Sequence, residues 1–382
     1  MKSKKLQLNI ISFDVPYPAN YGGVIDVFYK LKALSEIGVE IFLHTFEYGR
    51  GQQEELEKYC KKVFYYSRNN SLSKLISRKP FLTQSRYSEE LIKNIQTNNA
   101  PILFEGLHTT APLLENFSDR ITMIRAHNIE HNYYNGLFKS ETNKFKKLFF
   151  LLEYYRLKNY EEILAKTDYV LSISPFEHNY FIQKFNSVKY IPVFHKHENI
   201  QFQGIHEEKF ALYHGDLRVA DNKRAAQFAI DVFSKLDYPL KIISSHHNKK
   251  LIEQADKYKN ISFIKIKSQK ELDDYIQHAH INILPTFQKT GIKLKLINVL
   301  FSGKFAIVNN EMISDTGLES MCELANTKKE FREKVLKMAQ KEFTKDEFDK
   351  RQEGLKIFNT KQNALQIKEL IESKQETEVL QD

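Results

Sequence analysis

Pro285 to Asn310, PTFQKTGIKLKLINVLFSGKFAIVNN, holds the most concentrated chemistry in the chain. At 100° per residue, Gly291, Lys295 and Asn298 fall on one side of a helix, and Leu294, Ile297 and Leu300 turn toward another. An apolar strand over Ile281 to Leu284 leads into a turn, then a helix opening at Gly291, then a second strand over Phe305 to Asn309. Free N–H groups at a helix N-terminus, with a lysine one turn in, suit a phosphate. An ordinary amphipathic helix with solvated lysines fits the same residues, so the decision rests on the rest of the chain.

Two further stretches carry titratable groups at strand ends. Ile102 to Phe104 runs into Glu105-Gly106-Leu107-His108, and Ile121 to Ile124 into Arg125-Ala126-His127-Asn128-Ile129-Glu130-His131. In an open α/β sheet ligands sit beyond the carboxyl ends of strands, and His127 is available there near neutral pH as acid, base or hydrogen-bond donor. His127 and His131 stand at i, i+4, but HNIEH places its Glu wrongly for the HExxH zinc pattern, and no metal site is expected. Ser174-Pro175-Phe176-Glu177 reads as a helix capping box, which accounts for those residues without function.

The elements that must position these groups follow an α/β alternation. Leu6 to Phe13 is a first strand, VPYPANYGG a loop, Gly23 to Ile37 a helix closed by Gly38, and Glu40 to Phe46 the next strand. The loop's Gly22-Gly23 lies over a ligand at the carboxyl edge of the sheet or is simply a glycine-permitted turn. A long helical stretch is expected over 132–166, with strands at Lys62 to Tyr66, Tyr169 to Ile173 and Val188 to Ile191. The pattern restarts at Phe210 to Tyr213, with HGDLRVADN, a helix over Lys223 to Leu236, and strands at Leu240 to Ser244 and Ile261 to Ile264. The polar junction near His195 to His206 divides the chain into domains 1–198 and 199–382, the terminal helices packing back toward the first. Neither half has GxGxxG followed by an acid some 20 residues on, which disfavours an NAD-dependent oxidoreductase.

The 382 residues carry a formal charge of +9, which calls for an anionic partner. Lys58 to Arg86 holds eight Lys or Arg and no Asp or Glu, interleaved with Tyr59, Phe64, Tyr65, Tyr66, Ile76 and Phe81. That composition suits an anionic membrane surface or a merely solvated basic face; no nucleic-acid signature accompanies it. There is no apolar run long enough for a transmembrane helix, and MKSKKLQLNIISF reads as a first strand rather than a signal peptide. Cys60 and Cys322 are too few for a disulfide framework, as in a reducing cytoplasm.

Taken in order, the motifs resemble the GT-B-fold, nucleotide-sugar-dependent glycosyltransferases of the large retaining group often called family 4. PYPANYGG resembles that group's glycine loop, IRAHNIEHNYY its N-domain His loop, YHGDL with Asn222 the glycine strand-end of its C-domain, and TGIKLKLINVLFSGKFAIV its donor-site helix. The resemblance implies two Rossmann-like domains facing across a cleft. It implies that Gly22 and Gly23 approach the donor diphosphate, that His127 lies at the reacting sugar and that Gly215 admits the nucleotide. Gly291 and Lys295 would then neutralise the diphosphate leaving group, and Asn298 would bond the ribose. Asn298 and Thr290 stand where the group's pattern has carboxylates, and Asp216 where it often has Arg.

The implied activity is transfer of a sugar from a nucleoside-diphosphate sugar to a hydroxyl of a glycan or glycolipid in surface-polysaccharide synthesis. The implied mechanism is retaining and needs no metal or further cofactor. The expected location is cytoplasmic, peripheral at the inner face of the membrane through Lys58 to Arg86. A sugar-nucleotide epimerase of the same fold, and a catalytically silent partner subunit of a polysaccharide assembly complex, are the alternatives.

Overall fold

In the computed structural model, described for residues 5–115, 117, 119–200, 209–287, 293–314 and 316–379, short apolar runs pair into two wholly parallel sheets. The chain begins with β1 (Gln7–Ser12), α1 (Gly22–Glu36), β2 (Glu40–Glu47) and β3 (Lys62–Ser67). Gly38 ends α1 at φ +86°, its N–H bonded to the Ser35 carbonyl, a left-handed position that glycine occupies without strain. Next come α2 (Phe81–Gln84), α3 (Glu89–Ile95), β4 (Ile102–Glu105), β5 (Thr122–Ala126), α4 (Glu130–Ser140), α5 (Lys144–Tyr160), β6 (Tyr169–Ser172), α6 (Pro175–Phe181) and β7 (Val188–Tyr190). The strand order β3-β2-β1-β4-β5-β6-β7 reverses direction of winding between β1 and β4.

The long helix expected over 132–166 is instead two α-helices and a 3₁₀ segment, broken at Glu141 to Asn143. Asn143 caps α5 by accepting from the Phe145 and Lys146 N–H groups, which makes it a helix start rather than an interior residue. At α6, Ser174 caps the Glu177 N–H as expected, while the Glu177 carboxylate turns onto the Ser174 hydroxyl.

The second sheet is built from β8 (Ala211–His214), α7 (Ala220–Phe233), β9 (Leu240–Ser244), α8 (Lys249–Ala255), β10 (Ile261–Lys265), α9 (Gln269–His278), β11 (Ile281–Leu284), α10 (Leu294–Ser302), β12 (Phe305–Val308), α11 (Asn310–Ile313) and β13 (Glu323–Leu324). Its order, β10-β9-β8-β11-β12-β13, reverses between β8 and β11. α12 (Lys328–Ala339), α13 (Lys345–Gly354) and α14 (Thr360–Val379) complete the chain.

The described residues form two units. The first gathers those up to Lys196 and from Ile357 onward, and the second runs from His197 to Lys356. The unit 1 core includes Val27, Leu31 and Leu34 of α1 together with Ala364, Ile367 and Ile371 of α14, so the last helix belongs to the first unit's core. The unit 2 core joins Ala225, Ala229 and Phe233 of α7 to Ile281 and Ile283 of β11 and to Phe331 and Val335 of α12. Fully burying side chains of this size is worth roughly 1.5–3 kcal/mol each, which is the driving force behind both α/β layers. The two parallel, doubly wound sheets agree with the α/β fold read from the sequence.

Candidate active site

Each sheet has its switch point where ligands bind in open α/β folds, beyond the carboxyl ends of the two strands that diverge there. In unit 1 that place is made by Phe13 and Asp14 after β1 and by Glu105 and Gly106 at the end of β4. His127, the first residue past the following strand, β5, reaches into it. His127 Nε2 lies 2.9 Å from a Glu105 carboxylate oxygen, and His127 Nδ1 is buried with no hydrogen-bond partner among the described residues. If Nε2 carries the proton and donates it to Glu105, Nδ1 is left as an acceptor for a substrate hydroxyl.

Glu105 is fixed from behind. Lys30 of α1 contacts it at 2.8 Å and Asp26 at 3.0 Å; the Arg125 guanidinium grips Asp26 from two nitrogens at 3.0 and 2.9 Å. All four side chains are buried. The carboxylate of Asp26 is held well below the usual range, its burial outweighed by Arg125 and Lys30. Arg125 also donates to the carbonyls of Ile191 and Pro192, and the Phe194 N–H donates to Asp26, so the cluster fastens the end of the first unit's chain to its sheet. Asp26, Glu105 and His127 bring ligating atoms within 4.8 Å of one another. The Lys30 ammonium between the two carboxylates already supplies the countercharge that a cation there would bring, so this donor set fits a structural ion-pair network.

Around His127 sit Phe13, whose ring meets those of His127 and His108 at 5.6 and 5.5 Å, and Glu130, 3.8 Å from His108. Burial pushes the Glu130 carboxyl up to about 8 and holds His108 well below its ordinary value, so this pair is neutral at physiological pH. Arg86, buried beside them and bonded only to the carbonyls of Phe13 and Leu82, is a cation at this site with no ion-pair partner among the described residues. Gly22 opens α1, and a Cβ on the next residue, Gly23, would come 2.6 Å from the Phe13 ring, so a glycine there leaves that ring its place. His131 turns away to Glu161 at 3.2 Å, so HNIEH does not converge.

In unit 2 the switch point lies between His214-Gly215, after β8, and Pro285 to Phe287, after β11. Lys295, in the first turn of α10, sends its ammonium to the Asn222 side-chain oxygen at 2.6 Å and over the Tyr213 ring at 5.8 Å. A Cβ on residue 215 would lie 2.8 Å from the Lys295 nitrogen and 3.1 Å from Asn222, so Gly215 is what lets the ammonium reach the strand end. The side chain as a whole is half-buried, but its ammonium end is enclosed, and that desolvation lowers the Lys295 pKa to about 8. His214 beside it is driven to about 3 by burial and by Lys295, and is neutral. Asp221, on the first turn of α7, fixes the opposite wall by accepting from the Thr286 hydroxyl at 2.8 Å and the Phe287 N–H at 3.0 Å.

The helix expected to open at Gly291 begins at Leu294; Gly291 and Thr290 lie outside the described residues. Lys295 is therefore a first-turn residue rather than one turn in. Asn298 follows on the same helix, and its side-chain oxygen is 2.9 Å from His197 Nε2, the His197 ring stacked on Phe301. Asp216, in the usual place of an Arg, holds Arg218 at 2.7 Å. The structure thus groups Gly215 and Lys295, with Asn298 on the same helix as Lys295, in unit 2; in unit 1 it places Gly22 and Gly23 at the start of α1 and His127 beside Glu105. Glu105, Asp26, Lys30, Arg125 and Arg86 are the members that sequence reasoning did not assign.

No family model matches the chain. The chain superposes on a sucrose-phosphate synthase from Thermosynechococcus elongatus with a TM-score of 0.67 at 14% identity, over 97% of this chain and 99% of that one. The Anabaena protein Alr3699/HepE in complex with UDP and glucose gives 0.66 at 10% identity, over 96% and 100%. WaaG, a glycosyltransferase involved in lipopolysaccharide biosynthesis, gives 0.61 at 10% identity, over 95% and 99%. The fold is GT-B. A protein of Klebsiella pneumoniae described as an uncharacterized 44.6 kDa protein in the cps region is 26% identical over 328 residues, 81% of this chain and 84% of that protein.

Proposed function

We propose that the chain transfers a glycosyl group from a nucleoside-diphosphate sugar to a hydroxyl of a glycan or glycolipid acceptor. The observation that carries the proposal is Lys295: an enclosed ammonium at the switch point of unit 2, cleared by a glycine and held by an amide instead of a carboxylate. A diphosphate there gains a countercharge at the moment its negative charge grows, which is where electrostatic stabilisation lowers a barrier most. Complexes of neighbouring folds with UDP support a nucleoside diphosphate as the ligand, and WaaG's part in lipopolysaccharide biosynthesis supports a surface glycan as acceptor.

In this reading His127, fixed through Glu105, accepts a hydrogen bond from a hydroxyl of the transferring sugar and positions it. The bond from the anomeric carbon to the diphosphate oxygen breaks while the acceptor oxygen bonds the same face of that carbon. The acceptor proton passes to the departing diphosphate, giving retention. Lys295 supplies the positive field in unit 2, and Asn298 offers its amide to the ribose. Sugar-nucleotide turnover tests the proposal: donor hydrolysis or transfer that disappears in Lys295→Ala supports it, and turnover unchanged in that variant contradicts it.

One observation favours a second reading. The Asn298 oxygen already bonds His197, so the helix grips a ribose less than a carboxylate would. A catalytically silent GT-B subunit would bind the nucleotide and turn over no donor. An epimerase would change the donor sugar with no acceptor present.

A further inference from the structure

α5 is apolar on two faces, and only one of them is used by the fold. Leu157 and Phe150 pack inward with Tyr134 and Phe181 in the unit 1 core. On the opposite face Phe145, Leu148, Leu152 and Tyr155 stand at i, i+3, i+7 and i+10, inside an arc of about 80°, and all four are exposed, Phe145 at 87%. Ile76, also 87% exposed, joins this face through its neighbour: the Leu75 carbonyl accepts from Arg156 of α5 at 2.7 Å, and Phe81 packs on Phe149 at 6.0 Å. A contiguous exposed apolar strip of this size marks an interaction surface.

Its charge says with what. Lys144 and Lys158 stand beside the strip on the helix, Lys146 and Lys147 complete its basic first turn with the Lys147 ammonium over the Phe138 ring at 5.1 Å, and Lys74, Arg78 and Lys79 lie within three residues of Ile76. The single acid of α5, Glu153, is buried and turned inward, accepting from the Phe81 and Leu82 N–H groups. Glu141 and Glu162 stand just beyond the two ends of the helix, Glu141 with its carboxylate on the N–H groups of Thr142 and Asn143. An apolar ridge with lysines along its flank is the pattern of a helix lying in a membrane interface, its side chains among acyl chains and its lysines among anionic headgroups. A second copy of the chain would bring these exposed lysines against one another, which is repulsive. The basic segment singled out in the sequence contributes only in part: Lys58 and Lys61 pair with Glu55 and Glu40, and Arg86 is buried.

We infer that the outer face of α5, extended by Ile76, docks unit 1 on an anionic lipid bilayer. No membrane-crossing helix is found among the described residues, so this contact lies on the surface. The inference does not depend on the transfer reading. Co-sedimentation of the full chain with phosphatidylcholine vesicles, with and without phosphatidylglycerol, tests it. The full chain should sediment with the anionic vesicles, less so at high salt, and not with the neutral ones. F145S/L148S should weaken that binding about tenfold or more with an unchanged melting temperature. If that variant melts early, K144E/K146E/K147E decides, and should lose the same binding. Wild-type failure to sediment, variants that sediment like wild type, or a wild-type dimer in solution that F145S/L148S converts to monomer would each overturn the inference.

Discussion

The Lys295 ammonium donates to the Asn222 side-chain oxygen at 2.6 Å, and no carboxylate stands within ion-pair distance of it among the described residues. In unit 1 the buried Lys30 and Arg125 are arranged otherwise: Lys30 sits between Asp26 and Glu105, and Arg125 grips Asp26. A desolvated charge held by a neutral amide is costly in the free protein. That cost is offset when an anion arrives, and this distinguishes Lys295 from a lysine retained for packing.

The pH dependence of nucleotide binding follows from the same residue. Burial lowers the Lys295 pKa to about 8, below its ordinary value, so the free protein loses this charge as pH rises through about 8. A bound diphosphate favours the charged form and raises the pKa again. Affinity for a nucleoside diphosphate should be level below about pH 8 and should fall above it by up to about tenfold per unit. Titration calorimetry in buffers of different ionisation enthalpy should show proton uptake on binding above about pH 8, and Lys295→Met should show neither effect.

Gly215→Ala separates clearance from charge. The added methyl meets the far end of a flexible lysine at 2.8 Å, so the side chain moves and the fold survives with a loss of about 1 kcal/mol. Displacing the ammonium should weaken nucleoside-diphosphate affinity by about tenfold or more, with a melting temperature within a few degrees of wild type.

His127 and Glu105 are expected to act as a unit. His127→Ala should lower the transfer rate by about a hundredfold or more while leaving diphosphate affinity intact. Glu105→Gln keeps the shape but removes the charge facing Lys30 and the fixed acceptor for His127 Nε2, and should lower the rate in the same direction. Glu105→Ala leaves Lys30 with one partner instead of two and should cost on the order of 3–5 kcal/mol of stability. Single-turnover rates and denaturant midpoints on the three variants distinguish these outcomes.

How far the sequence reveals this site depends on the kind of contact. Gly215 and Lys295 are legible because strand ends and helix starts have local signals. Asp26 and Lys30 are not: at i, i+4 on α1 they look like an exposed helix ion pair, and only the return of Arg125 and of the chain at Ile191 to Phe194 buries them. Glu105 looks like a strand end until His127, 22 residues later, is placed beside it. The break between α4 and α5 had signals in Asn143, a good N-cap, and in the polar run from Lys139 to Lys144, but the wide apolar face of the stretch that follows draws it into one helix. The outer face of α5 escapes a periodicity argument because its apolar residues run on into those of the inner face, so the two look like one wide packing face.

Glu130 sets a stability signature in unit 1. Its carboxyl ordinarily ionises near 4.5, but burial raises it to about 8. Between these values the folded state binds more protons than the unfolded one, so its contribution to stability declines as pH rises, by up to about 1.4 kcal/mol per unit, and levels off above about pH 8. Glu130→Gln does not ionise. Denaturant unfolding should therefore show the variant gaining on wild type as pH rises from about 5 to about 8, and no further above that.

The central claim is that the switch point of unit 2 holds the diphosphate of a sugar nucleotide. Calorimetric binding of UDP, GDP and ADP, each beside its nucleoside monophosphate, to wild type and to Lys295→Ala tests it most directly. At least one diphosphate should bind wild type more tightly than its monophosphate, and that preference should vanish in Lys295→Ala. Binding of no diphosphate, or a diphosphate preference that survives in the variant, would contradict the claim.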